Sequence, residues 1–310
     1  MKLFLSLLQS RRLHDHLKGA LITIMILIGG LYYLHHENYN KFKTKAEVDF
    51  YANKTQKSTG DRFTEYLDTT KTNVQYVYLD GQKMAYSLLQ QDNQKFSTTV
   101  IIIGGLPGID IHWAELANRI KDRANVVVIH PLGYLPSDGI RTTDNIVNSA
   151  NKAVREVNSK HGLWDTRLVL MGESMGGNII SHVSQNIASD VLILQKPMPS
   201  TSQAAGYSIV KKDGAKEDTL PYLMYEFLGS PRLDKMLPKS QAKNIFINIG
   251  QNDTIVDPID QTKAFQTILD RPNAHLRVDL DGDHWSIDYD TLINQIFGDN
   301  EISTEIGPEL

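Results

Sequence analysis

The pattern of apolar and polar positions divides this chain near residue 74. Beyond that point, short apolar runs rich in β-branched residues recur at regular intervals. VQYVYLDG (74–81) and MAYSLLQQ (84–91) are joined through Asp80-Gly81 and predict an antiparallel pair. TTVIIIGG (98–105), ANVVVIHP (124–131), RLVLMGES (167–174), DVLILQKP (190–197), NIFINIGQND (244–253) and HLRVDLDGDHW (275–285) read as further strands. Most of them are separated by helix-length segments. Apolar strands alternating with helices predict an α/β fold, with a mostly parallel, twisted sheet of eight strands covered on both faces. In such sheets chemistry collects at the carboxyl ends of the strands.

The first 73 residues follow a different pattern. Residues 19–34, GALITIMILIGGLYYL, carry no charge. Extended to Leu17 and His36, the segment spans about 20 residues, or roughly 30 Å as a helix, which matches the hydrocarbon core of a bilayer. It is apolar on every face, unlike the single buried stripe of a core helix. Tyr32 and Tyr33 sit where an interfacial aromatic belt would lie, and HHENYNKFK behind them offers no small-x-small cleavage site. An uncleaved anchor is therefore expected over residues 1–36, with a cleaved signal peptide as the alternative. Lysines flank the segment on both sides, so charge does not orient it. A short basic head before one long domain predicts a single-pass membrane protein whose larger part lies outside the cytoplasm. Residues 37–73 are polar and read as a stalk, with one short helix around 43–52.

Composition narrows the function classes. A formal net charge of -4, with pI near 6.2, and no basic stripe with interleaved aromatics argue against a nucleic-acid partner. The chain contains no cysteine, which removes disulfides, thiolate metal sites and a cysteine nucleophile together.

One stretch carries chemistry on its face. The strand ending at Met171 runs into Gly172-Glu173-Ser174-Met175-Gly176, and a helical pattern, NIISHVSQNIA, follows at once. A serine between two glycines at a strand-to-helix turn is a nucleophile elbow: bulky neighbours two positions away would collide, and the following helix directs its N-terminal N–H groups at a developing oxyanion. The Gly-x-Ser-x-Gly pattern alone is weak, and the flanking strand and helix make it specific. Three other strand ends supply partners. Gly104 to Gly108 makes a tight turn before a helix starting near Asp110, and the backbone N–H of Leu106 is expected to pair with that of Met175 as oxyanion donors. That turn lacks the Lys-Ser/Thr ending of a phosphate loop and the spacing of a dinucleotide site. Asp253 follows the seventh strand and suits a carboxylate that orients a histidine; Asp257 competes, with a helix N-cap before Pro258 as its structural alternative. His284, in a polar turn after the last strand, is the expected general base. Of the ten histidines, His130 at the end of the fourth strand is its rival.

Ser174, Asp253 and His284, in that order and each at a strand end, give residues 74–297 a resemblance to the α/β-hydrolase superfamily. His130 to Asp138 also resembles that family's D-x-x-G-x-G-x-S loop: Gly133 and Ser137 match, while His130 replaces the aspartate and Leu135 the second glycine. Gly104 stands where many members carry a histidine. The resemblance implies two-step acyl transfer through Ser174, without metal or cofactor. It also implies a cap over about residues 198–243, in which Tyr207, Tyr222, Tyr225 and Phe227 line an acyl pocket or pack the cap. The expected substrate is a small-molecule or lipid ester. A peptidase or amidase of the same fold, and a silent ligand-binding member, are the alternatives. The acidic tail, 298–310, is expected to be frayed.

Overall fold

The computed structural model describes residues 73–89, 96–105, 111–134, 136–139, 142–200 and 232–298. The expected anchor over 1–36, all but the last residue of the stalk, Leu106, most of the cap and the tail beyond Gly298 lie outside the described residues. Among the described residues, no helix is long and apolar enough to cross a membrane.

Eight strands form one sheet: β1 (Asn73–Leu79), β2 (Gln82–Leu89), β3 (Thr98–Ile103), β4 (Asn125–His130), β5 (Arg167–Glu173), β6 (Ser189–Gln195), β7 (Ala242–Gly250) and β8 (Ala274–Asp279). Their spatial order is β1-β2-β4-β3-β5-β6-β7-β8. β2 runs antiparallel to both β1 and β4, and every other pair is parallel. The β1–β2 hairpin closes on Asp80 (φ 50°) and Gly81 (φ 80°), both in the left-handed region that a tight two-residue hairpin demands. This is why an Asp-Gly pair sits there.

The described helices are α1 (Ile111–Ile120), α2 (Thr143–His161), α3 (Met175–Val183), the short α4 (Leu233–Met236), α5 (Pro258–Gln266) and α6 (Tyr289–Phe297). Strand side chains point alternately to opposite faces, and the apolar runs sort accordingly. Ile101, Ile103, Val127, Ile129, Leu168 and Leu170 face one layer, built from α2, α3 and α5. Val100, Ile102, Val126, Val128, Val169 and Met171 face the other, built from α1 and α6 around Trp113, Leu116, Leu292 and Ile296. Strands buried on both faces must be apolar at successive positions, which is the reason their sequences read as runs rather than alternations.

Capping chemistry sets several boundaries. Thr142 caps α2 by accepting from the Asn145 N–H at 3.2 Å, and Gly162, at φ 63°, ends it. α3 is shorter than the sequence pattern suggests. It closes at Val183, where Ser184 Oγ donates to the Ser181 carbonyl at 2.7 Å and the chain turns toward β6.

His130 closes β4 in the core. Its Nε2 lies 3.4 Å from Ser87 Oγ, and burial pulls its pKa down from 6.5 to about 4. The folded chain therefore holds this imidazole neutral, while the unfolded chain protonates it below about 6.5. Stability from this site is complete above pH 6.5 and is lost as pH falls toward about 4. The loss is roughly 3 kcal/mol, since each tenfold change in proton affinity is worth about 1.4 kcal/mol. Urea unfolding of the wild type across this interval is expected to show the decline, and His130→Gln to show a shallower one. An identical slope in both proteins would assign the acid sensitivity elsewhere.

Candidate active site

Ser174 lies between β5 and α3 with φ 50° and ψ -119°, a sparsely populated conformation for a residue with a side chain. Backbone contacts hold it there. A Cβ on Gly172 would run into the Gly176 carbonyl, and one on Gly176 into the carbonyls of Ile103 and Gly104. The two glycines thus let β3, β5 and α3 approach closely. The Ser174 N–H donates to the Gln195 carbonyl at 3.0 Å, and its own carbonyl accepts from Met198 N–H at 2.8 Å, so the end of β6 and the segment just after it brace the turn. The preceding Glu173 is buried and accepts from Trp113 Nε1 at 2.6 Å.

Asp253 follows β7 in a turn whose N–H donates back to the Gly250 carbonyl at 3.2 Å. Its side chain is fully buried. One oxygen, Oδ1, accepts from the N–H groups of Ile255 and Val256, at 2.8 and 2.9 Å. Oδ2 accepts from Gln261 Nε2 at 3.3 Å and from His284 Nδ1 at 2.8 Å. Four donors occupy the acceptor sites of this carboxylate and fix its plane. Asp257 plays the structural part open to it: it caps α5, with Oδ1 accepting from Ile259 N–H at 2.8 Å and Pro258 in the first helical turn.

His284 sits in the turn after β8. Asp283 Oδ1 accepts from the N–H groups of Trp285 and Ser286, at 3.0 and 2.8 Å, which closes the turn around the histidine. The bond from Ser286 N–H is the main reason the Asp283 carboxyl lies below its usual range. This turn packs on the Asp253 turn backbone to backbone. Asn252 N–H donates to the Gly282 carbonyl at 3.0 Å, and a Cβ on Gly250 would lie 2.5 Å from that same oxygen.

His284 Nε2 lies 3.2 Å from Ser174 Oγ. An ionised carboxylate only accepts hydrogen bonds, so the proton between His284 and Asp253 belongs to Nδ1, and Nε2 presents its lone pair to the serine hydroxyl. All three residues are nearly buried, at 3–5% exposure, in a setting where such bonds are less weakened by water. The structure thus brings Ser174, Asp253 and His284 into one hydrogen-bonded chain. Met175 opens α3, so its N–H is among those the helix leaves unsatisfied. Leu106 lies outside the described residues.

The other described histidines are engaged elsewhere, His112 beside Tyr289 Oη at 3.3 Å. His130 meets Ser87, His161 lies 2.8 Å from Tyr86 Oη, His182 Nδ1 accepts from Asn151 at 2.9 Å, and His275 stacks on Phe246. The His130–Asp138 loop proves to be a brace. Ser137 Oγ donates to the His130 carbonyl at 2.5 Å and accepts from Ala85 N–H at 2.7 Å, locking the end of β4 to β2. A cavity of about 490 Å³ beside α2, bordered by Asp80, Lys152, Arg155 and His182, is lined by none of the three chained residues. Among the described residues, no group of acidic or histidine side chains is arranged to hold a metal ion.

Sequence reading missed Gly250, Gln261 and Lys196. Gly250 carried a usable signal, a glycine ending a strand just before a candidate acid. Gln261 and Lys196 act through long-range contacts that leave no local pattern.

A family model described as the α/β hydrolase fold matches residues 98–207. No curated protein matches the chain. Among solved structures, the Pyrococcus furiosus esterase Pf2001 superposes with a TM-score of 0.56 at 17% identity, over 75% of this chain and 88% of its own. Est1E from Butyrivibrio proteoclasticus, solved with ferulic acid bound, gives 0.55 at 17%, over 72% and 96%. A soluble variant of the monoglyceride lipase from Saccharomyces cerevisiae gives 0.54 at 17%, over 74% and 92%. At such identities the likeness speaks for architecture, and with the strand order and the strand-to-helix serine turn it makes this an α/β-hydrolase fold.

Proposed function

We propose that the chain is a serine hydrolase cleaving a carboxylic ester, a lipid or an acylated small molecule, through an acyl-enzyme intermediate. The observation that carries this reading is the buried relay from Ser174 Oγ to His284 Nε2 and from His284 Nδ1 to Asp253 Oδ2. In the proposed cycle Ser174 attacks the ester carbonyl while His284 takes its proton. Asp253 holds the imidazole in the productive tautomer and stabilises the imidazolium. The backbone N–H of Met175, together with that of Leu106, receives the oxyanion. His284 then returns its proton to the leaving alcohol, and a water activated in the same way releases the acid. Every step draws on side chains and backbone groups of this chain. The ester preference draws support from the esterase and lipase among the structural neighbours. The tether to a bilayer through residues 19–34, with the catalytic part outside the cytoplasm, belongs to the proposal on sequence grounds.

A fluorophosphonate probe is expected to label the wild type at Ser174, with labelling and p-nitrophenyl ester hydrolysis both lost in Ser174→Ala. A folded wild type that resists the probe would point to a silent ligand-binding protein. Faster turnover of aminoacyl anilides than of esters would move the reading to a peptidase. Asp253→Asn is expected to lower kcat by about four orders of magnitude while the fold stays unchanged, because the amide favours the wrong imidazole tautomer. For the tether, the full chain is expected to sediment with membranes and to be released by detergent but not by alkaline carbonate. Recovery in the soluble fraction would remove that part of the proposal.

A further inference from the structure

Resting on the serine-hydrolase reading, we propose that Lys196 is a positioning residue that clamps the turn carrying His284 and sets the histidine's approach to Ser174. Lys196 follows β6, buried to 1% exposure, with a positive φ of 44° that costs a side-chain-bearing residue some strain. Its N–H donates to the Asn248 carbonyl at 2.6 Å on the neighbouring β7. From there the side chain runs to the histidine turn. Nζ donates to the Asp283 carbonyl, the Ser286 carbonyl and Ser286 Oγ. An ammonium has three donors and no acceptor, and these three oxygens use all of them. Two belong to the backbone on either side of the His284-Trp285 pair. The preceding residue takes part as well: Gln195 receives the Ser174 N–H through its carbonyl, and its Nε2 reaches the Ser286 carbonyl at 3.5 Å. The end of β6 therefore holds the serine turn with one residue and the histidine turn with both.

A lysine in such surroundings needs a reason. Burial draws its ammonium below the usual lysine range, and four carboxylates oppose that by favouring the charge: Asp279 on β8, Asp253 after β7, Asp283 in the histidine turn and Glu173 on β5. A neutral side chain of the same length would pack but could not bind three oxygens. Losing the ammonium would also remove a cation that interacts with Asp253, the carboxylate bonded to His284, which favours the imidazolium and so the inactive form.

The test compares wild type with Lys196→Met on a p-nitrophenyl ester, with circular dichroism to confirm the fold. The expected result is a kcat lower by roughly a hundredfold, the scale of a misplaced reacting group, with KM little changed. The acid limb of kcat/KM is expected to move to higher pH. A folded Lys196→Met with wild-type kcat and an unmoved acid limb would overturn the proposal. A second variant separates charge from packing. Because the sequence contains no cysteine, Lys196→Cys carries a unique thiol. Alkylated with 2-bromoethylamine while unfolded and then refolded, it regains an ammonium at the end of a thioether. Recovery of rate and acid limb, relative to a carboxamidomethylated control, supports the clamp. A folded alkylated protein no faster than the control contradicts it. If neither variant folds, the wild type decides. Its activity is expected to fall reversibly through an ionisation below the usual lysine value of 10.5 while the fold persists. Activity held level until the fold itself melts would overturn the clamp. Retention of turnover by Ser174→Ala would instead remove the underlying serine-hydrolase reading, so the two failures are distinct.

Discussion

The close approach of backbone to backbone around Gly172 and Gly176 is the constraint on which the rest of the site depends. With no Cβ at either position, the carbonyls of Ile103, Gly104 and Gly176 occupy space that any side chain would claim. That contact brings the ends of β3 and β5 against the first turn of α3, and it forces the residue between them to a positive φ. Ser174 accepts the strain because its N–H is held by the last residue of β6 and its carbonyl by Met198 in the segment that follows. Its hydroxyl is thereby fixed relative to the sheet, and everything else has only to be brought to it.

The sheet does the bringing. β5, β6, β7 and β8 are parallel neighbours, so their carboxyl ends emerge side by side. The serine turn, the Lys196 corner, the Asp253 turn and the His284 turn follow these four strands in order. Each turn is tied to its neighbour by backbone bonds: Ser174 to Gln195, Lys196 to Asn248, and Asn252 to Gly282. Precision at the 3.2 Å approach of His284 to Ser174 is thus inherited from strand pairing through short rigid connections, rather than from a single strong contact. Polar groups at this rim are satisfied chiefly by backbone atoms, which cannot drift as side chains do.

Much of this was legible in the sequence because the signals are local. Runs such as TTVIII and NVVVIH declare strands buried on both faces, Asp80-Gly81 declares a hairpin, and the glycines flanking Ser174 declare an elbow. Asp253 and His284 could be singled out because each lies within a few residues of a strand end. The choice between Asp253 and Asp257 turned on a cap that Pro258 already suggested. What could not be read were the pairings between turns. Lys196 resembles an ordinary polar residue ending a strand until β7 and β8 are laid beside β6, and Gln261 becomes meaningful only when α5 folds back over Asp253. The His130 loop matched a family pattern in part, and Ser137 supplies the physical reason: its hydroxyl bridges β2 and β4.

In the proposed mechanism Ser174, made nucleophilic by this relay, forms a covalent bond with the acyl group of its substrate. The most direct measurement is mass spectrometry of the protein quenched during turnover of a slow p-nitrophenyl ester, with peptide mapping of the adduct. One acyl mass per chain is expected, on the peptide containing Ser174, appearing with the burst of p-nitrophenol and absent from Ser174→Ala. Steady turnover with no adduct at any time, or an adduct on a different residue that survives loss of Ser174, would contradict it.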